Sequence, residues 1–344
     1  MKAAILVEQN KPLVVADIEL PSKLEKGQVL VKVVSSSVCG SQIGEIDGVK
    51  GPDRFLPHLL GHEGGGIVEE TGPGVKRVKK GDHVVMHWRK GLGIESATPK
   101  YKWGDKTVNA GWVTTFNEKA IISENRLTSI PKDVDFEVAA LMGCAITTGF
   151  GVVNNNAKLR TGESIAVFGV GGVGLNVVQA AALVGAKTII AIDIYDNKLK
   201  FAQELGATHV INGAQKDVLK EITNISGSKG VDVAVDITGN VKVIEQAYEA
   251  TAPKGRTILV GVPKKGEKVC IYTLPLHFGK VLTGSHGGES QPSTDIPKFI
   301  DLYKKKKLSL KHMITQTFKL DDINKAIDAM RKGETIKCMI RMKP

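Results

Sequence analysis

The chain has 344 residues, enough at ~150 residues per domain for about two domains and a large core. Hydrophobic residues at 42% and charged residues at 24% are ordinary for a globular protein and exclude a disordered, collagen-like or coiled-coil chain. The 47 basic against 36 acidic residues leave a net charge of +11, which permits an anionic partner without choosing between nucleic acid, nucleotide and phosphorylated substrate.

In chain order, the first residues turn polar at Glu8 before any signal-peptide core of adequate length forms, so no secretory signal is expected. Up to about Ile130 the pattern is short strands with turn signals between them: strands at 29–34 and 66–69, the turn Thr71-Gly72-Pro73-Gly74, then a strand opened by Gly81-Asp82. This predicts a small, mostly-β domain. From about Gly162 to Gly284 the short apolar runs 165–168, 188–192, 231–235 and 257–260 are each separated by room for a helix, the rhythm of a doubly wound parallel sheet. Helical patterns at 296–304 and 321–331 and a last strand pattern at 337–342 could extend either domain. The uncharged stretch 165–186 is long enough to cross a bilayer, but its five glycines fit a strand, a turn and a helix better, so no membrane span is expected.

Gly169-Val170-Gly171-Gly172-Val173-Gly174 fits G-x-G-x-x-G between a predicted strand and a predicted helix, and Asp193 ends the next strand 19 residues past the last glycine. In that context Gly169 serves the tight turn, Gly171 lets backbone approach a pyrophosphate, and Gly174 lets helix and strand pack closely. Asp193 suits ribose hydroxyls and repels a 2′-phosphate, which favours NAD over NADP.

Four cysteines, Cys39, Cys144, Cys270 and Cys338, are too few and too scattered for a disulfide framework, so a reducing, cytoplasmic compartment is expected. Cys39 follows a predicted strand, His62 and Glu63 lie in Gly61-His62-Glu63-Gly64-Gly65-Gly66, and Cys144 lies among small residues. Two thiolates and one imidazole would leave one tetrahedral position open, as in a catalytic zinc site. Taken singly, each reads equally as a buried cysteine or a structural histidine.

Cys39, then Gly61-His62-Glu63-x-x-Gly66, Gly81-Asp82, Gly143-Cys144 and the glycine fingerprint, in this order along nearly the whole chain, resemble the zinc-containing medium-chain alcohol dehydrogenase family. The resemblance implies a GroES-like, mostly-β catalytic domain from residues 1–146 and 288–344, with a Rossmann NAD-binding domain inserted at 147–287. It implies hydride transfer between NAD(H) and an alcohol/carbonyl pair, with a small-molecule alcohol, aldehyde or ketone as partner and a homodimer or homotetramer as assembly. Carried onto this sequence, Cys39, His62 and Cys144 match the catalytic zinc ligands, Glu63 a carboxylate able to enter the coordination sphere, and Ser41 the hydroxyl that passes on the substrate proton. Lys198 matches a residue at the adenosine ribose, Val173 and Thr148 touch the nicotinamide, and Trp88 and Phe116 wall the substrate pocket. Lys337 falls where a basic residue near the cofactor pyrophosphate is common, and reads equally as a surface lysine.

The chain also departs from the family. The stretch 88–112, where many members hold a structural zinc with four cysteines, has none, so one zinc per chain is expected. Gln42 replaces a common acidic residue three positions after the zinc cysteine, which should leave the site more positive. Gly44 replaces the histidine that ends the proton relay in some members, leaving Glu45, Asp47 or water for that step. Cys270 and Cys338 sit in apolar, strand-like surroundings and read as core. Arg89, Lys90, Lys100, Lys102 and Lys106, against Glu95 and Asp105, suggest a loop that admits a polar or anionic alcohol such as a sugar, polyol or phosphorylated compound, or else a solvated basic loop. The rival readings are a metal-free quinone or enoyl reductase of the same superfamily, opposed by Cys39, His62, Cys144 and Asp193, and a non-catalytic NAD-binding protein. No nucleic-acid motif occurs and the basic residues are spread along the chain, so no nucleic-acid partner is expected.

Overall fold

Strand Gln28–Ser37 organises the first half of the computed structural model, which describes residues 1–227 and 229–343. Its Val29, Val31 and Val33 alternate inward, the period-2 signature of a strand with one face buried, and meet Val84, Met86, Ile122, Leu127 and Ile340 in a shared core. One side pairs antiparallel with Glu63–Thr71. The other is shared end to end: Lys119–Ser123 pairs with residues 28–32 and the C-terminal strand Lys337–Arg341 with residues 35–37. With His83–His87, Leu127–Ile130 and Ile314–Lys319 these form a seven-stranded sheet. A second sheet orders Val14–Asp17, Lys2–Leu6, His58–Leu59, Lys106–Asn109 and Lys100–Trp103.

By its contacts the chain divides into two units, residues 1–145 with 291–343 and residues 146–290. The tail that sequence alone left unassigned therefore belongs with the N-terminal strands.

The second unit is a six-stranded parallel sheet in the order His209–Asn212, Thr188–Asp193, Ser164–Phe168, Val231–Asp236, Thr251–Leu259, Val281–Gly284. The first strand in sequence lies inside the sheet with later strands built outward on both sides, so the order reverses between Ser164–Phe168 and Val231–Asp236. Beyond the carboxyl ends of strands at such a reversal, open α/β sheets bind their ligands. The apolar stretch that is long enough to span a bilayer divides into strand Ser164–Phe168 and helix Gly172–Val184. Among the described residues no single helix is long and apolar enough to cross a membrane.

Cys338 is buried in the first unit's core, but Cys270 is exposed, contrary to its reading as core. The run Val269-Cys270-Ile271-Tyr272 has strand-like composition yet pairs with no strand; side chains hold it instead, the Cys270 N–H on Glu245 at 2.7 Å and the Tyr272 carbonyl on the Tyr248 hydroxyl at 2.9 Å.

His87 shows how a buried polar group is settled within the first sheet. Its Nδ1–H donates to the Arg89 carbonyl at 2.7 Å and its Nε2 lies 3.0 Å from the Thr128 hydroxyl, so the neutral ring keeps both bonds by accepting from that hydroxyl. Burial, the largest influence, pushes its pKa down from 6.5 to about 4. Because the folded value is the lower one, the stabilisation is complete above pH 6.5 and is lost as pH falls toward 4. Relative to His87→Gln, the wild-type protein should therefore lose about 2 kcal/mol of unfolding free energy between pH 7.5 and pH 5. Denaturant titrations at the two pH values measure this difference; an equal gap at both would show that His87 does not carry the pH dependence.

Candidate metal centre and nucleotide-binding turn

Three separate segments bring Cys39, His62 and Cys144 together. Cys39 caps the short helix Gly40–Ile46 directly after the central strand. His62 precedes strand Glu63–Thr71, and Cys144 follows helix Phe136–Met142. The turn into His62 needs glycine: Gly61 has φ +92°, and a Cβ there would lie 2.4 Å from the Thr115 hydroxyl. The two sulfurs and a His62 ring nitrogen lie within 4.8 Å of one another.

This donor set fits zinc. The buried Nε2 of His62 has no hydrogen-bond partner, as a nitrogen kept for a metal requires. On the other side of the ring, the buried Gln42 side chain places Nε2 2.6 Å from His62 Nδ1 while its Oε1 has no partner. Turning this amide over puts the oxygen on Nδ1–H, fixing the tautomer whose Nε2 lone pair faces the sulfurs. The hydrogen bond between the two sulfurs, the leading influence on both, pushes the pKa of Cys39 well down and that of Cys144 well up. Burial opposes charge on His62, but the neighbouring Cys39 outweighs it and raises the ring's pKa.

Glu63, the carboxylate next to His62, accepts from Lys337 Nζ through Oε1 at 2.5 Å, and its Oε2 faces the Ala145 N–H at 3.4 Å. Lys337, read from the sequence as a pyrophosphate contact or a surface residue, is almost wholly buried, with Nζ also donating to the Val38 carbonyl at 3.1 Å. Burial works against its charge, and Glu63 followed by Cys39 more than offsets this. Burial likewise raises the pKa of Glu63 against the pull of Lys337.

Trp88 lies beside the metal ligands, its ring centroid 6.4 Å from that of His62, and the Arg89 guanidinium stacks on it at 5.8 Å. Exposed Ser41 directs its hydroxyl to Cys39 Sγ at 3.4 Å. Phe116, expected as a pocket wall, is fully buried in the main core, and its N–H is spent on Leu60. Lys100, Lys102 and Lys106 belong to the hairpin of the second sheet, and Lys90 pairs with Glu95, so of the five basic residues Arg89 is the one placed against Trp88. Asp47 is engaged by Arg331.

In the second unit the fingerprint glycines are shaped for a dinucleotide. Gly169 has φ +90°; a Cβ on Gly174 would lie 2.0 Å from the Gly169 carbonyl; a Cβ on Gly171 would project into open space at the helix N-terminus, where a pyrophosphate needs room. The Asp193 carboxylate is held by the Val170 N–H at 2.9 Å and the Ile194 N–H at 2.8 Å. Lys198 Nζ rests 4.6 Å from the Tyr195 ring centroid. Half-buried Val173 lies in the first turn of helix Gly172–Val184, and the buried Thr148 hydroxyl has no partner.

Comparison with known proteins agrees with this geometry. Residues 25–132 match the alcohol dehydrogenase GroES-like domain and residues 172–305 the zinc-binding dehydrogenase family. An S-(hydroxymethyl)glutathione dehydrogenase of Paracoccus denitrificans is 33% identical across 98% of this chain and 99% of its own length. A class-P alcohol dehydrogenase of Arabidopsis thaliana is 32% identical over 99% and 97%. The crystal structure of benzyl alcohol dehydrogenase from Acinetobacter calcoaceticus superposes with a TM-score of 0.89 at 30% identity, covering 99% of both chains.

If Gln42 orients His62, Gln42→Leu should weaken zinc binding by about 10- to 100-fold, and Gln42→Glu should recover it. Competition with a chromogenic chelator reads both; a Gln42→Leu protein with wild-type affinity would remove Gln42 from the site.

Proposed function

The chain belongs to the zinc-containing medium-chain alcohol dehydrogenase family, an NAD-dependent enzyme family, and from that premise we propose that residues 1–146 and 288–344 form its catalytic domain and residues 147–287 its NAD-binding domain. The observation that carries the reading is the convergence of Cys39, His62 and Cys144 with the His62 Nε2 unspent. We assign one zinc per chain, since the stretch 88–112 has no cysteine and no second group of candidate ligands occurs among the described residues.

Bound zinc supplies a Lewis acid that lowers the pKa of a substrate hydroxyl, and NAD supplies the hydride acceptor. The residues of the chain do the rest. Cys39, His62 and Cys144 leave one side of the centre open for the substrate oxygen. Ser41 takes the hydroxyl proton at Oγ and passes it to water or Glu45, as Gly44 offers no side chain and Asp47 is held by Arg331. Trp88 supplies a flat wall beside His62. Asp193, with its carboxylate held by the backbone N–H groups of Val170, Ile194 and Tyr195, accepts the adenosine ribose hydroxyls, Lys198 assists there, and Val173 and Thr148 meet the nicotinamide.

The substrate is a polar or anionic alcohol, a class whose charge Arg89 would meet beside Trp88. The protein acts in the cytoplasm as a homodimer. Exposed Val281 opens the edge strand Val281–Gly284, exposed Val262, Tyr272 and Phe278 precede it in sequence, and a second copy pairing at this edge would cover it. Light scattering that returned the mass of a single chain would overturn the dimer.

A screen of alcohols and aldehydes followed by NADH absorbance, with metal measured on the same sample, tests the assignment. It should find turnover with NAD well above NADP and one zinc per chain; a protein that takes up no zinc, or that prefers NADP, would sink it. Arg89→Ala should raise KM about tenfold for phosphorylated alcohols and leave neutral alcohols unchanged. Equal effects on both would exclude an anion-selective entrance.

A further inference from the structure

Each zinc ligand has a chain neighbour tied to one buried ion pair. Lys337 Nζ donates to the carbonyl of Val38, the residue before Cys39. Glu63, the residue after His62, accepts from Lys337 through Oε1. The Oε2 of the same carboxylate faces the N–H of Ala145, the residue after Cys144. We propose that the Glu63–Lys337 pair is a positioning clamp that holds the three ligand-bearing segments in register for the metal, the ligands themselves being donated by side chains one residue away. This rests on the zinc reading above.

The connectivity explains why such a clamp is useful. The three ligands lie on segments far apart in sequence, and fixing them separately would cost the conformational entropy of three independent backbones. A single ion pair that touches all three spends one desolvation penalty to order them together. Lys337 is itself fixed from a fourth segment, as it opens the strand whose Cys338 carbonyl accepts the Val38 N–H at 3.1 Å. Val38 is thus held at its N–H by Cys338 and at its carbonyl by Lys337. Both side chains are almost completely buried, so their contacts are not diluted by solvent.

Removing one partner leaves a buried charge, and the resulting instability would hide a metal effect. The decisive variant is therefore Glu63→Leu/Lys337→Leu, because an apolar pair of similar volume can replace a buried ion pair without loss of stability. Chelator competition measures zinc affinity, the visible spectrum of the cobalt-substituted protein reports ligand geometry, and denaturation of the metal-free protein reports the fold. We expect metal-free stability close to wild type, zinc affinity about 10- to 100-fold lower, and an altered cobalt spectrum. If the double variant does not fold, Glu63→Gln/Lys337→Met, which cuts the Val38 link, leaves no buried charge and keeps most of both side-chain volumes, carries the same expectation for zinc and cobalt. Wild-type zinc affinity and cobalt spectrum in the variant that folds would overturn the clamp while leaving the zinc site intact. A wild-type protein that takes up no zinc would overturn the site itself.

Discussion

The buried contact between Glu63 and Lys337 ties together four separate segments of the first unit. Two opposite charges this far from water are tolerated only when paired and hydrogen-bonded, so the backbone must deliver both to one place. Glu63 is delivered by the strand that begins there, and Lys337 by the C-terminal strand, which pairs with the far end of Gln28–Ser37. The return of the tail to the N-terminal sheet is thus a requirement of the site as well as a feature of the topology. A chain ending before residue 337 would leave Glu63 buried without its counter-charge and Val38 without the bonds that fix Cys39.

The second unit answers a different constraint. Its inner strands, Ser164–Phe168 and Val231–Asp236, are buried on both faces and need only be apolar, and its chemistry is concentrated at one strand-to-helix turn. That explains why this half was legible in the sequence. The apolar runs, the glycine spacing and Asp193 are local signals, each contained within a few residues, and the turn they predict is the turn observed. The metal centre was not legible in the same sense. No spacing rule links residues 39, 62 and 144, so the group emerged from the family resemblance, and the fold supplies the reason by bringing a cap, a strand start and a helix end together.

What sequence reading missed follows the same division. Glu63 and Lys337 are each, taken alone, a charged residue with a plausible partner, the coordination sphere for one and the cofactor for the other; the sheet register adds the contact between them. Phe116 carries the aromatic character of a pocket wall, but the antiparallel bridge at Ala3 and Asn117 draws it into the core. Cys270 stands in a run with strand composition that has no neighbouring strand to pair with, and unpaired backbone of that kind stays at the surface. Gln42 was noticed for the charge it lacks, whereas its amide contact with His62 required the fold.

Carboxylates organise the cysteine-free stretch 88–112. Glu124 accepts the N–H groups of Lys76 and Arg77 through one oxygen, at 2.6 and 2.7 Å, and that of Ile94 through the other at 2.8 Å. Burial opposes its ionisation, yet these three bonds overcome it and hold its pKa below the usual carboxylate range. Glu95 pairs with Arg126, whose guanidinium also stacks on Trp112 at 5.2 Å. The following residues then close as the hairpin of Lys100–Trp103 and Lys106–Asn109, which joins the second, five-stranded sheet of the first unit. Three of the basic residues that made this stretch look like an anion site are therefore the outward side chains of a hairpin, where lysine discourages pairing with a further strand. The net charge of +11 accordingly owes less to substrate recognition than its local density suggested, and Arg89 is left as the basic side chain stacked on the aromatic wall beside the metal ligands.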